Sequence, residues 1–65
     1  MRLEVNGSWL EVQASTLAML LDELGFETAC VATALNGVFV ARPARADTPL
    51  ADGAKVEVLA PMQGG

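Results

Sequence analysis

The residues that could do chemistry are few, and they gather at one end of the sequence. The 65-residue sequence finishes in Gln63-Gly64-Gly65. Two closing glycines arise by chance in under about one chain in a hundred at a Gly frequency of about 7%. A Gly-Gly end has no side chains, so it can thread a narrow channel and lie backbone-close against another protein's site. Its carboxylate is unhindered and can attack the α-phosphate of ATP. The resulting acyl-adenylate can be opened by a sulfur nucleophile to leave a thiocarboxylate. The bland alternative is a chain end with no task, as most are.

Elsewhere the sequence argues against catalysis. There is no histidine, so no Ser-His or Cys-His nucleophile pair can form. The other glycines, Gly7, Gly25, Gly37 and Gly53, build no phosphate loop. Asp22 and Glu23 read as the solvated face of a helix. Cys30, just before an apolar run, reads as a small core or near-core residue. One thiol and no imidazole are a poor donor set for zinc, so neither a metal nor a bound cofactor is expected.

Composition bounds the rest. A chain this short forms one domain with a small core, and a lone cysteine allows no internal disulfide. Hydrophobic residues make up 52%, but only three are aromatic, so the core must be mainly Val, Leu and Ala. The net charge of −4 opposes nucleic-acid binding, which draws on Lys and Arg at phosphates, and opposes anionic membranes. It suits a partner with a basic docking surface. No apolar run approaches the roughly 20 residues that cross a bilayer, and residues 1–14 alternate instead of forming a signal sequence. The lone cysteine fits a reducing compartment. The expectation is a cytoplasmic protein, monomeric on its own.

The elements that must carry the diglycine follow from periodicity. In residues 1–14, Met1, Leu3 and Val5 alternate with Arg2 and Glu4. Leu10 and Val12 then alternate with Trp9, Glu11 and Gln13, with Asn6-Gly7 between the runs as a type I′ signal. The hairpin sets Leu3 against Leu10 and Met1 against Val12 on one face, and Arg2 against Glu11 and Glu4 against Trp9 on the other. Residues 16–24 read as a short helix capped by Ser15 or Thr16. Leu17, Leu20, Leu21 and Leu24 form its buried stripe and Gly25 its stop. Residues 31–35 and 38–40 flank Asn36-Gly37 as a second hairpin. Ala32, Ala34 and Phe39 are taken as its core face, since small residues let the helix sit close. Pro43 and Pro49 leave 41–53 as an irregular connector. Asp52-Gly53 turns into a last strand, Lys55 to Leu59, and Pro61 closes it.

This order gives an α+β roll of the β-grasp (ubiquitin-like) type: a mixed sheet of four to five strands, one main helix across it, and the last strand central. The folded part is expected over 1–60, with 61–65 a flexible tail. Trp9, on the polar face of the first hairpin, is either an interface anchor or a cover for Glu4 and the sheet edge.

Several stretches together resemble the ThiS-type sulfur carriers of thiamine biosynthesis, a branch of the ubiquitin-like β-grasp proteins. They are Val5-Asn6-Gly7, Ala34-Leu35-Asn36-Gly37, Val40 with Arg42, Thr48, Leu50, Asp52-Gly53, Val56-Glu57-Val58 and Gln63-Gly64-Gly65. The resemblance spans the whole chain. It implies a carrier with no catalytic residues of its own. An E1-like adenylyltransferase of the ThiF type spends ATP to adenylate Gly65, which becomes a thiocarboxylate, and a thiazole synthase of the ThiG type accepts the sulfur. Gly64 carries over as the slim neighbour, with Gln63 as a further point of tail recognition. Met62 and Trp9 are candidate partner contacts. Ala54 stands where the family often has a second acid, and Pro61 is more typical of the small subunit of molybdopterin synthase, which shares the fold and activation chemistry. That sister carrier and a plain ubiquitin-like interaction domain are the alternatives. Ordering four tail residues costs about 4–8 kcal/mol, so the apolar and acidic surface near the last strand is expected to share in docking.

Overall fold

The computed structural model describes residues 1–60. Its elements run β1 (Arg2–Val5), β2 (Ser8–Glu11), α1 (Leu17–Glu23), β3 (Ala32–Leu35), β4 (Val38–Val40) and β5 (Lys55–Leu59), with short 3₁₀ segments at Thr28–Cys30 and Arg42–Asp47. Both hairpins turn where the Asn-Gly pairs stand. Asn6 and Asn36 adopt φ of 50° and 51°, and the glycines that follow 85° and 84°, the double positive φ of a type I′ turn. That geometry fixes the first register as expected: Leu3 faces Leu10, Glu4 faces Trp9, and Arg2 faces Glu11.

The strands form one sheet in the order β2-β1-β5-β3-β4, so the last strand is central. It runs parallel to β1 and antiparallel to β3. The helix α1 carries the chain from β2 to β3, on opposite sides of the β1–β5 pair, and lays its apolar stripe on the sheet between them. Thr16 caps α1 by accepting from the Met19 N–H. Leu17, Leu20 and Leu21 are fully buried against Leu3, Val12 and Val56. Glu23 is not merely a solvated acid. Its carboxylate accepts the N–H groups of Gln13 and Ala14 at 3.0 and 2.8 Å, fastening the helix end to the chain that enters it. Among the described residues every buried hydrophobic one is Leu, Val or Ala.

Three expectations are corrected. The core face of β3 is Thr33, 2% exposed, while Phe39 is 69% exposed. Ala34 and Phe39 pair on the outer face with Glu57. Alternation decides this once β5 is central. Val56 and Val58 point inward, Val58 pairs with Thr33, and Ala34 must follow Glu57 outward.

The second correction concerns the connector. Residues Arg42–Asp47 form a 3₁₀ helix with Pro43 in its first positions, where the missing N–H is no loss. This helix delivers Arg45 into the interior at 4% exposure. Its Nε donates to Thr33 Oγ1 (3.0 Å), and its terminal nitrogens donate to the Thr28 and Val31 carbonyls (2.8 and 2.6 Å). Thr33 Oγ1 in turn donates to the Val40 carbonyl at 2.8 Å. A threonine is acceptable in the core because its hydroxyl both accepts one hydrogen bond and donates one.

The third concerns Cys30. It ends the Thr28–Cys30 turn and is exposed, because that turn lifts it off the start of β3.

Candidate functional site

The candidate site is the end of β5, where the described chain stops. The residues on which the sequence reading centred, Met62, Gln63, Gly64 and Gly65, lie outside the described residues, as does Pro61. What the structure places is the ground around their point of departure.

Two hollows adjoin that point. One, of about 340 Å³, is lined by Ala29, Cys30, Val31, Ala32, Leu59 and Ala60. The other, about 110 Å³, lies on the outer face among Ala32, Ala34, Phe39, Glu57 and Leu59. They share Ala32 and Leu59, which pair across β3 and β5. Phe39 and Leu59 are both about two-thirds exposed, at 69% and 63%. The result is an apolar surface with one acid, Glu57, set in it. The small Ala32 and Ala34 leave the depression between the two large side chains.

This surface is where the sequence placed a docking face in general terms, near the last strand. Phe39 was missed because both faces of its hairpin are apolar, so composition did not say which points out. The signal was present in Glu57: an acid in β5 marks the solvent face, and everything paired with it shares that face.

Trp9 is elsewhere. It sits opposite Glu4, which pairs with Lys55 at the other end of β5, and strand rise puts Leu59 about 13 Å further along. Trp9 is 51% exposed and the Arg2 guanidinium stacks over its ring, 5.1 Å from the centroid. Trp9 thus lies on the same sheet face, remote from the end of β5. The Cys30 thiol borders the larger hollow and lies 3.9 Å from Glu27 Oε2. Among the described residues no group of three His, Cys, Asp or Glu side chains is placed to hold a metal ion. None of their helices is long and apolar enough to cross a membrane.

The chain thus sets an apolar face with one acid in it beside the end of β5. Comparison with known proteins gives it a family. The model of the ThiS family matches residues 2–65. The chain belongs to the ThiS family. A curated relative, the sulfur carrier protein ThiS of Thermus thermophilus, is 41% identical over 61 residues, covering 94% of this chain and 95% of the relative. The crystal structure of the thiamine biosynthesis protein ThiS from Geobacter metallireducens superposes with a TM-score of 0.85 at 36% identity, covering all of both chains. A solution structure of a thiamine biosynthesis protein from the same organism gives 0.80 at 35% identity, covering all of this chain and 88% of that one. The β-grasp architecture read from the strand order is therefore that of the solved ThiS structures.

Proposed function

We propose that this ThiS-family chain is a sulfur carrier of thiamine biosynthesis, a protein co-substrate whose working group is the Gly65 carboxylate. The observation that carries the reading is the diglycine itself. Gly64-Gly65 follows the central strand of a β-grasp sheet by a few residues, and the family match runs through it.

In this reading an E1-like adenylyltransferase of the ThiF type binds ATP and presents it to Gly65. A carboxylate oxygen attacks the α-phosphorus and pyrophosphate leaves. A sulfur nucleophile then attacks the acyl carbon and AMP leaves, so one oxygen of the terminal carboxylate is replaced by sulfur. A thiazole synthase of the ThiG type takes that sulfur. The chain itself binds no cofactor, and ATP belongs to the activating enzyme. Its own contribution is presentation. Gly64 and Gly65 give the reacting carbon unobstructed access, Gln63 and Met62 offer the enzyme's channel its first side chains, and the Phe39–Leu59 surface with Glu57 docks the head. Phe39 and Leu59 supply apolar area and Glu57 a partner for a basic side chain, in keeping with the net charge of −4.

The test is intact-mass spectrometry after incubation with the adenylating enzyme, ATP and a sulfur source. The expected product has sulfur in place of one oxygen at Gly65. A variant with one alanine appended after Gly65 keeps the fold and should stay unmodified, and its modification would refute the reading. Rescue of a thiamine auxotroph, as against a molybdopterin-deficient strain, identifies the acceptor.

A further inference from the structure

The β1–β5 ladder is short, and a side chain completes it. Backbone pairing joins Glu4 to Lys55 and Val5 to Val56. The Glu4 N–H donates to the Ala54 carbonyl, and the Asn6 N–H to the Val56 carbonyl at 2.9 Å. Even-numbered residues of β5 thus bond toward β1. Lys55, an odd one, bonds the other way: its carbonyl accepts from the Asn36 N–H, and its N–H donates to Asn36 Oδ1. Val58 would be the next to bond toward β1, but β1 has already turned away at Asn6-Gly7. The Asn6 carboxamide stands in for the missing strand. Its Oδ1 accepts the Val58 N–H at 2.8 Å and its Nδ2 donates to the Val58 carbonyl at 3.0 Å. These are the two groups a longer β1 would have supplied.

We infer that Asn6 is a positioning residue for the reaction at Gly65, a clamp that fixes where the chain leaves the sheet. The inference rests on the proposed carrier function. Val58 is seven residues before Gly65, so at about 3.3 Å per residue the clamp sets the origin of an arm no longer than about 23 Å. Releasing Val58 on one side lets the end of β5 swing about its remaining pairing with β3. The head still docks, but the carboxylate meets the α-phosphate in fewer of the docked complexes. A reaction limited by placement of two groups loses rate in the bound state and keeps its affinity.

Asn6→Gly is the clean perturbation, because glycine accepts the positive φ that an L side chain resists. The control is Asn36→Gly. It removes the matching carboxamide at the other end of β5, where Asn36 Oδ1 holds the Lys55 N–H at 2.9 Å, far from the departing chain. Two readouts apply to each: amide hydrogen exchange, and ATP–pyrophosphate exchange by the adenylating enzyme. For Asn6→Gly, Val58 amide exchange should quicken about ten-fold or more. The kcat should fall about three- to ten-fold with KM held within about two-fold. Asn36→Gly should quicken exchange at Lys55 and leave kcat within about two-fold of wild type. A merely destabilised carrier behaves otherwise, since a smaller folded fraction lowers its effective concentration and raises apparent KM. The inference is overturned if Val58 exchange is unchanged, if kcat holds, or if both variants lose kcat alike. Should wild-type protein fail to be activated at all, the carrier function fails. The clamp itself is then still judged by Val58 exchange alone.

Discussion

Arg45 holds the connector half of this fold in place, and removing it should cost more than any other single polar change. The guanidinium is 4% exposed and bonds three acceptors that belong to three different segments: the Thr28 carbonyl in the 3₁₀ turn, the Val31 carbonyl before β3, and Thr33 Oγ1 within it. Among the described residues no carboxylate forms an ion pair with it, so its worth lies in these hydrogen bonds alone. Bonds to a charged donor contribute about 1.5–3 kcal/mol each, or about 4–9 kcal/mol for three. Against that stands the desolvation of a buried cation, several kcal/mol. In Arg45→Met the apolar stem is retained and the cation is gone. Thr33 keeps its bond to Val40, whereas the two carbonyls lose their donors at about 1–3 kcal/mol apiece. The adjoining hollow of about 200 Å³, lined by Thr28, Arg42 and Arg45 among others, admits water to relieve part of this. The expected net loss is about 2–4 kcal/mol. For a chain of this length the whole stability is about 3–10 kcal/mol, so the urea midpoint followed by circular dichroism should fall by about a fifth or more. In a double-mutant cycle, Arg45→Met with Thr33→Val should show coupling of about 0.5–2 kcal/mol. A loss under about 0.5 kcal/mol for Arg45→Met would refute the reasoning, because the bonds would then do no more than cancel the burial of the charge.

Two further outcomes follow from the same structure. Phe39→Ser and Leu59→Ser change exposed side chains and should leave stability within about 0.5 kcal/mol, yet each should raise KM for the activating enzyme about ten-fold, against less than about two-fold for Trp9→Ala; steady-state adenylation kinetics distinguish them. Thr16→Ala removes the oxygen that caps α1 at the Met19 N–H and should cost about 1 kcal/mol in urea unfolding.

The parts of the fold legible in the sequence are those dictated by local chemistry. Asn6-Gly7 and Asn36-Gly37 admit little but type I′ turns, and a two-residue turn leaves one register, so the pairing of Leu3 with Leu10 was determined before any tertiary contact. The leucine spacing of α1 was equally explicit. The parts that were not legible depend on partners distant in the chain. Whether Thr33 or Ala34 faces the core is undecidable within a hairpin apolar on both faces but for Thr33, and is set only when Val58 arrives beside Thr33. The burial of Arg45 could not be read from the connector, because its three acceptors lie 12 to 17 residues away. Of the site, Glu57 and Leu59 were readable as the outer face of the last strand, whereas Phe39 was hidden by the same ambiguity as Thr33.

On the proposed function, the exposed apolar pair Phe39 and Leu59 beside the end of β5 has an energetic task. An arm of four residues fixed in a partner's channel forfeits about 4–8 kcal/mol of chain entropy. Burying a Leu or Phe side chain returns about 1.5–3 kcal/mol when it starts fully exposed. Phe39 and Leu59 start about two-thirds exposed, so together they return about 2–4 kcal/mol. Docking through these two residues therefore offsets about half the cost of ordering the arm, and the remainder must come from the hollow beside them and from contacts the arm makes for itself. On the proposed function, the carrier should bind its enzyme through head and arm jointly. Neither Phe39 without the diglycine nor the diglycine without Phe39 should suffice, and a peptide of residues 58–65 should bind the adenylating enzyme far more weakly than the intact chain.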